Sequence, residues 1–377
     1  MDMPKSKVMY SLTQLYKICR GPSSSHTLGP QRAARIFKER NPSADSFRAV
    51  LYGSLARTGK GHGTDTVLRE MFLPFPCEIR WDYEKKDLTH PNTLELYAYS
   101  NGKQTDFARV FSIGGGDIQF EGDDPQETPL CYPHHTFAEI SEYCVSNNLR
   151  LWQYVRQFED NSFEDYMLHI WDTMKSSIRA GLNDDGVLPG GLDVPKKAKH
   201  LYSLNRFDKM TETKEFRLVS AYAFAVSEQN ACGKTVVTAP TCGSAGVVPA
   251  VLYYQQQKHG FDDYKIARAL AAGGIIGNLI KTNATISGAE GGCQAEIGTA
   301  CAMAAAALAE LLNLSVHHIE YAAEVAIEHH LGLTCDPIEG LVQIPCIERN
   351  AVAAIRAINA VSISSALCDY RKISLDN

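Results

Sequence analysis

Two hydrophobic patterns divide the chain into a first third and a longer remainder. Near the N-terminus, apolar and polar residues alternate over residues 47–52 and 94–99, which predicts β-strands, and residues 29–39 have helical spacing. After residue 136 helical spacing dominates. The helices are predicted at residues 137–146, 162–180, 265–279, 297–312, 316–330 and 350–367. The pattern therefore predicts an α+β N-terminal domain followed by an all-α helical domain.

The stretch between the two patterns, residues 121–129, is acidic and contains two prolines, as is typical of a linker. The chain has 377 residues, which is enough for two or three domains. We therefore expect an α+β domain over residues 1–130 and a helical domain over residues 131–377.

One predicted helix is apolar on every face, since seven of the ten positions from 300 to 309 are alanine. A helix that is apolar all round is buried, and small side chains let neighbouring helices approach closely. The pattern predicts the centre of a tight helical bundle. A second interpretation is that this helix holds a cofactor in the core of the bundle.

Composition and charge exclude several classes of function. Hydrophobic residues make up 45% and charged residues 21%, which is ordinary for a globular protein with a large core. The net charge of −6 provides no basic field, so we expect no nucleic-acid partner. The longest uncharged apolar run, residues 297–309, is too short to span a membrane, and the first residues do not resemble a signal peptide. We therefore expect no membrane partner and a cytoplasmic location.

Eleven cysteines are many for a chain expected in a reducing compartment. Three lie at predicted junctions of helix and loop, namely Cys293, Cys335 and Cys346. A helix N-terminus stabilises a thiolate, and loops at helix ends can converge on one point. Three thiolates suit a [4Fe–4S] cluster with one open iron, whereas a structural zinc site favours four ligands in close pairs, and no Cys-x₂-Cys pair occurs. Packing as small buried side chains remains an alternative.

A polar loop, residues 21–30, places five hydroxyl or imidazole side chains, those of residues 23–27, at a predicted helix start. Such a loop presents backbone N–H groups and hydroxyls that could bind a carboxylate or phosphate, although a simple N-cap turn would use similar residues. Four of these five side chains are candidates for the site, namely Ser23, Ser24, Ser25 and His26.

His62 lies between two glycines in a second loop, residues 55–65. This context leaves the imidazole accessible as a general base, although many loop histidines are merely solvated. The loop lacks the spacing of a nucleotide-binding P-loop. Three further loops carry candidate groups: residues 90–93 with His90, residues 112–117 with Ser112, and residues 236–246.

Together these motifs resemble the iron–sulfur-dependent L-serine dehydratases (L-serine ammonia-lyases). Nine motifs occur in the order of that family, at residues 21–27, 58–62, 90–92, 112–116, 187–192, 238–241, 292–294, 333–337 and 345–350. The resemblance implies an N-terminal domain similar to a regulatory domain of phosphoglycerate dehydrogenase, and a helical catalytic domain. It also implies conversion of L-serine to pyruvate and ammonia, in amino-acid degradation and gluconeogenesis.

The resemblance implies roles for the candidate residues. Cys293, Cys335 and Cys346 would hold the [4Fe–4S] cluster, with His62 as catalytic base and His90 as the second candidate. The serine site would be lined by Ser23, Ser24, Ser25, His26, Ser112, Thr238, Ala239, Pro240 and Thr241. We expect a homodimer, and no pyridoxal phosphate, because no lysine lies in a context typical of a Schiff base.

The chain departs from the family at three places. Cys242 replaces a residue that is small or an amide in many relatives, the stretch between His62 and His90 is short, and a C-terminal cysteine found in some relatives is absent. Two alternatives follow. One is a lyase that desulfurates L-cysteine, against which the serine-rich loop argues. The other is an amino-acid-binding homologue whose catalysis is impaired by a missing C-terminal tail.

Overall fold

A mixed five-stranded sheet organises the first part of the chain. The computed structural model describes residues 9–123, 130–204 and 210–377, so part of the expected linker, residues 124–129, and the N-terminal residues 1–8 lie outside the described residues. The elements are β1 (Ile18–Arg20), α1 (Gly29–Arg40), β2 (Ser46–Tyr52), α2 (Gly53–Thr58), α3 (Thr64–Phe72), β3 (Cys77–Asp82), β4 (Thr93–Ser100), β5 (Lys103–Gly114) and β6 (Asp117–Phe120). The order in the sheet is β3-β2-β4-β5-β6, with β2 and β3 parallel and the other pairs antiparallel.

Helices α1 and α3 cover one face of this sheet. The alternation that predicted β2 and β4 places Phe47 and Leu96 on the buried face. Phe47 stacks on Phe72 of α3 with ring centroids 4.2 Å apart, and Phe37 of α1 meets it edge-on. The sheet and its two helices therefore share one small hydrophobic core.

The rest of the chain is mostly helical. Its elements are α4 (Phe137–Ser146), α5 (Leu151–Phe158), α6 (Phe163–Asn183), α7 (Ala198–Ser203), α8 (Thr211–Ala231), β7 (Thr235–Val237), α9 (Val247–His259), α10 (Asp263–Asn283), α11 (Gly288–Gly291), α12 (Thr299–Leu311), α13 (Val316–Glu328) and α14 (Cys346–Leu367). The short strand β7 pairs antiparallel with β1. The α+β part and the helical part that the sequence predicts are both present.

Helix α12 is the centre of the bundle, as its alanine content predicts. All of its residues are buried, and it packs against α9, α10, α13 and α14. At Gly273 of α10 a Cβ atom would lie 2.6 Å from the carbonyl oxygen of Met303, so only glycine allows the two backbones to come this close.

The N-terminal segment before β1 belongs to the helical core by packing. Met9, Leu12 and Tyr16 are fully buried among the helices. The Tyr16 hydroxyl donates to the carbonyl of Leu270 at 2.9 Å. This segment runs through the helical part before the chain enters the sheet.

A cluster of charges joins the sheet to the helical part. The carboxylate of Asp117 accepts from Lys17 at 2.5 Å, Lys281 at 2.6 Å and Arg32 at 3.2 Å. Burial raises the pKa of Asp117, but the charges of Lys281 and Lys17 outweigh it and hold the pKa well below its usual range. The start of β6 is thereby fixed to α1, to α10 and to the N-terminal segment.

By length and composition alone, the helix at Cys346–Tyr370 could cross a membrane. The search for uncharged apolar runs did not identify this helix, because single charged residues such as Arg356 interrupt it. Ala353, Ala354 and Ala357 of this helix are fully buried against α8, α12 and α13.

Candidate functional site

A cavity of about 220 Å³ lies where the loops of the two parts meet. Segments far apart in sequence contribute to its wall. Seven residues singled out in the sequence line it: Ser23, Ser25, His26, His62, Cys293, Cys335 and Cys346.

The loop before α1 carries the serines and His26. The Ser23 hydroxyl accepts from the backbone N–H of His26 at 3.1 Å, and a π-helical turn, Ser24–Leu28, leads directly into α1. This N-cap arrangement satisfies one free N–H of the helix start. Ser24 is buried in the turn and is not among the residues that line the cavity.

Ser112 lies behind this loop rather than in the cavity. Its hydroxyl donates to the carbonyl of Ser25 at 2.7 Å. At Gly29 a Cβ atom would lie 2.2 Å from the Ser112 hydroxyl oxygen, so a larger residue would push the loop away from β5. Ser112 therefore fixes the position of the loop.

The His26 imidazole is buried and hydrogen-bonded at both nitrogens. Nδ1 lies 3.0 Å from the Ser25 hydroxyl and Nε2 lies 3.0 Å from the Ser54 hydroxyl. Burial, and then the neighbouring His62, lower the pKa of His26 well below its usual value. The ring is neutral at neutral pH.

The His62 imidazole stacks on His26 and has a fixed tautomer. Its Nδ1–H donates to the carbonyl of Thr58 at 2.7 Å, which leaves Nε2 as the nitrogen with a free lone pair. Burial lowers the pKa of His62 to about 4, although the hydrogen bond to Thr58 opposes the shift. His62 is thus a neutral imidazole whose Nε2 can accept a proton.

His90 is close to the same region but is not among the residues that line the cavity. Its Nδ1 accepts from the backbone N–H of Asn92 at 3.0 Å, and its Nε2 lies 3.4 Å from a carboxylate oxygen of Glu290. Glu290 belongs to α11, the short helix that ends just before Cys293. His90 therefore spans the contact between the sheet and the helical part.

The loop after β7 supports the cavity from behind. The Thr238 hydroxyl donates to the carbonyl of Leu15 at 2.6 Å and accepts from the backbone N–H of Lys17 at 2.9 Å. Four residues singled out in the sequence are buried here without lining the cavity, namely Thr238, Ala239, Pro240 and Thr241. Gly243, two residues further on, does line it.

The three cysteines come from three junctions of helix and loop, as their positions in the sequence predict. Cys293 precedes the π-helical turn that opens α12, Cys335 lies in the loop after α13, and Cys346 is the first residue of α14. The hydrogen bond with Cys335, together with one from Arg349, lowers the pKa of Cys293. Burial raises the pKa of Cys346 to about 12.

The donor set of the cavity fits a cluster better than a single ion. In the described parts of the chain, no three His, Cys, Asp or Glu side chains lie close enough together to hold one metal ion. The thiolates of an iron–sulfur cluster each bind a different iron, so they need not meet at one point. Three thiols line the cavity, and Cys242, whose sulfur lies 3.3 Å from that of Cys19, is not among the lining residues.

Two ionisable residues at the cavity were missed in the sequence. Glu296 lines it, and Arg349 donates to Cys293. Each lies three residues after a cysteine, Glu296 after Cys293 and Arg349 after Cys346, and this spacing puts both members of a pair on one helix face. That spacing is the signal that could have identified them.

The Glu296 carboxyl is enclosed by two glycines. A Cβ atom at Gly288 would lie 2.4 Å from one carboxyl oxygen of Glu296, and one at Gly243 would lie 3.4 Å from the other. Burial raises the pKa of Glu296 to about 7, although a hydrogen bond with Thr241 opposes the shift. The cavity therefore contains a carboxyl group that can exchange a proton near neutral pH.

Comparison with known proteins finds the same family in both parts of the chain. The family model for the serine dehydratase beta chain matches residues 11–73, and that for the serine dehydratase alpha chain matches residues 100–377. L-serine dehydratase 1 of Escherichia coli is 38% identical, over 98% of this chain and 93% of the relative.

Two further relatives come from other organisms. The L-serine dehydratase of Streptomyces coelicolor is 38% identical over 97% of this chain and 92% of the relative. That of Helicobacter pylori is 34% identical, again over 97% of this chain and 92% of the relative. The chain belongs to the serine dehydratase family and carries the beta-chain and alpha-chain regions in one polypeptide.

Proposed function

We propose that this protein is an L-serine dehydratase that converts L-serine to pyruvate and ammonia. The observation that carries the proposal is that Ser23, Ser25, the two stacked histidines and three cysteine thiols all line one cavity of about 220 Å³. The relatives named L-serine dehydratase match nearly the whole chain and support the same substrate.

Cys293, Cys335 and Cys346 would hold a [4Fe–4S] cluster. Three thiols that line one cavity match a cluster in which one iron has no protein thiolate. When bound, such a cluster supplies a Lewis acid for an oxygen leaving group. Arg349, which donates to Cys293, offsets negative charge at this end of the cavity.

The loop before α1 would bind the substrate carboxylate. Its Ser23 and Ser25 side chains line the cavity, and the loop forms the start of α1, whose free N–H groups favour an anion. Ser24, Ser112 and the loop 238–241 would act behind the cavity, by holding the binding loops in place.

His62 would take the α-proton of serine at Nε2. Its Nδ1–H is committed to Thr58, and its neutral state leaves Nε2 ready to accept. Removal of this proton and departure of the hydroxyl group give aminoacrylate, which takes up water to form pyruvate and ammonia. His90, held against Glu290 outside the cavity lining, is better suited to positioning.

Glu296 would give a proton to the departing hydroxyl oxygen. It is the one carboxylic acid among the residues that line the cavity, and Thr241 holds it by a hydrogen bond. A base and an acid in one cavity meet the two proton transfers that the dehydration requires.

The division at residue 130, a homodimer and a cytoplasmic location remain proposals that rest on the sequence patterns and the family resemblance. Sedimentation of the purified protein would test the oligomeric state.

The proposed function is tested with protein purified without oxygen. We expect a brown preparation that absorbs near 400 nm and forms pyruvate from L-serine. L-cysteine serves as the competing substrate, and a higher kcat/KM for L-cysteine would favour the desulfurating lyase. Cluster absorbance without pyruvate formation from either amino acid would contradict both activities.

A further inference from the structure

We propose that Cys19 and Cys242 form a dithiol site that a small disulfide oxidises to an intramolecular disulfide, and that this bond slows the enzyme reversibly. The two sulfur atoms are 3.3 Å apart, and both cysteines are free. Neither lines the cavity, so the proposed reaction does not use this pair.

The fold holds the two thiols together from both sides. Cys19 is the middle residue of β1, which pairs with β7, and Cys242 lies in the loop that follows β7. Cys242 is 1% exposed, whereas Cys19 is 8% exposed and has the exposed Ile18 and Arg20 as neighbours. Cys19 is therefore the thiol that an external oxidant meets first.

The reaction balances with a small disulfide as the oxidant. The Cys19 sulfur attacks one sulfur of the reagent, and the other half leaves as a thiol. The Cys242 sulfur then loses its proton and attacks Cys19, which releases the second half as a thiol. The hydrogen bond with Cys19 and burial raise the pKa of Cys242, so this second step is expected to be slow. Two protein thiols are oxidised and one reagent disulfide is reduced.

The bond would act on the two loops that shape the cavity. Cys19 is four residues before Ser23, and Cys242 is next to Gly243. Ser23 and Gly243 both line the cavity. Bond formation brings the sulfur atoms about 1 Å closer than their present separation, since a disulfide is about 2.0 Å long. A shift of about 1 Å in a site can reduce the rate roughly 100-fold.

Peptide mapping tests the pair directly. The enzyme is incubated without oxygen with 2-hydroxyethyl disulfide, its remaining thiols are alkylated, and it is digested with trypsin. Cleavage after lysine and arginine leaves Cys19 in residues 18–20 and Cys242 in residues 235–258, each as the only cysteine of its peptide. We expect the two peptides linked, with a mass two hydrogens below their sum.

Variants separate this bond from damage elsewhere. We expect the oxidised enzyme to lose roughly 10-fold to 100-fold in kcat with unchanged absorbance near 400 nm, and to recover with dithiothreitol. Cys19→Ser and Cys242→Ser should resist the reagent, while Cys144→Ser, at a buried thiol of α4, should respond like the parent. Recovery of Cys19 and Cys242 as separate alkylated peptides from the inhibited enzyme would overturn the proposal. A serine variant that is still inhibited would also overturn it.

Discussion

His62 stacks on His26, with the ring centroids 4.5 Å apart and the planes 28° from parallel. Both rings are buried. A proton on either ring would therefore place a positive charge directly against the other ring in a medium of low dielectric. The hydrogen bond from Nδ1 of His62 to Thr58 then fixes the nitrogen that stays protonated. The pair therefore presents one neutral proton acceptor to the cavity rather than a charged cluster.

The first prediction concerns His62 as the base. His62→Gln should reduce kcat by about 10² to 10⁴ and leave the absorbance near 400 nm unchanged, because a base moves a proton and does not hold iron. His90→Gln is the matched control, since His90 lies against Glu290 outside the cavity lining, and its loss should be much smaller. Equal losses in the two variants would show that His62 is not the base.

The second prediction concerns stability at mildly acidic pH. An unfolded histidine has a pKa near 6.5, whereas burial lowers the pKa of His62 to about 4. Below pH 6.5 the histidine therefore binds a proton in the unfolded state but not in the folded state. The stability that the neutral ring contributes is fully present above pH 6.5 and is lost as the pH falls from 6.5 towards 4, by about 1 kcal/mol per pH unit.

Urea unfolding between pH 7 and pH 5 measures this effect. His62→Gln should reduce the decrease in the free energy of unfolding over this range, because glutamine does not titrate. His317→Gln, at an exposed histidine of α13, should leave the decrease unchanged. An identical pH dependence in the parent and His62→Gln would contradict the assigned pKa.

The third prediction concerns the three cysteines of the cavity. Cys293→Ser, Cys335→Ser and Cys346→Ser should each abolish the absorbance near 400 nm together with turnover, because a site with three thiolates has no spare ligand. Cys301→Ser is the control. Cys301 is buried in α12 and donates to the carbonyl of Ala353 at 3.2 Å, a bond that serine can also make. A variant of any of the three that keeps both absorbance and turnover would exclude that residue as a ligand.

Several helices, such as α6, were predictable because their apolar residues keep one face towards the core. The segment predicted at residues 137–146 coincides with α4, Phe137–Ser146. Helix α9 was not predicted, since its first nine residues, 247–255, are all buried and leave no apolar stripe, and since Pro249 lies within it. Strand β5 was not predicted because it begins with the exposed polar residues 103–105.

The site was only partly predictable for a related reason. The family motifs named the three cysteines and the two stacked histidines, which do line one cavity. Thr238 also belongs to a family motif, but its hydroxyl donates a hydrogen bond to the N-terminal segment and does not line the cavity. Motifs preserve residue types without showing which way they face. The position of Glu296 in the cavity was not predicted, because the glycines that enclose it, Gly243 and Gly288, come from other segments of the chain.

The fourth prediction concerns the charge cluster at Asp117. Asp117→Asn leaves Lys17, Lys281 and Arg32 around a neutral side chain. We expect a loss of about 2–3 kcal/mol in the free energy of unfolding, less than for a fully buried pair because these side chains are partly solvated. Arg40 and Asp123 form an exposed ion pair in the same sheet-containing part of the chain, and Asp123→Asn should cost less than about 1 kcal/mol. Equal costs in urea unfolding would show that the cluster does not hold the two parts together.

The fifth prediction distinguishes two roles of Glu296, as a proton donor and as a side chain that fills space. The carboxyl lies between Gly243 and Gly288, is hydrogen-bonded to Thr241, and has no basic partner among the groups that act on it. Glu296→Gln preserves the size and the hydrogen bond but cannot release a proton. We therefore expect kcat to fall about 10²-fold or more, with KM and the absorbance near 400 nm almost unchanged.

Glu296→Asp completes this test, because it keeps an acid in the cavity but shortens its reach. If Glu296 donates a proton, Glu296→Asp should retain a higher kcat than Glu296→Gln, although its carboxyl is displaced by one methylene. If Glu296 only fills space, Glu296→Gln should retain the higher kcat. The order of the two kcat values therefore decides between the roles. If Glu296→Gln turns over faster than Glu296→Asp, the carboxyl serves to keep the loops at Gly243 and Gly288 apart, and the proton for the departing hydroxyl comes from another source.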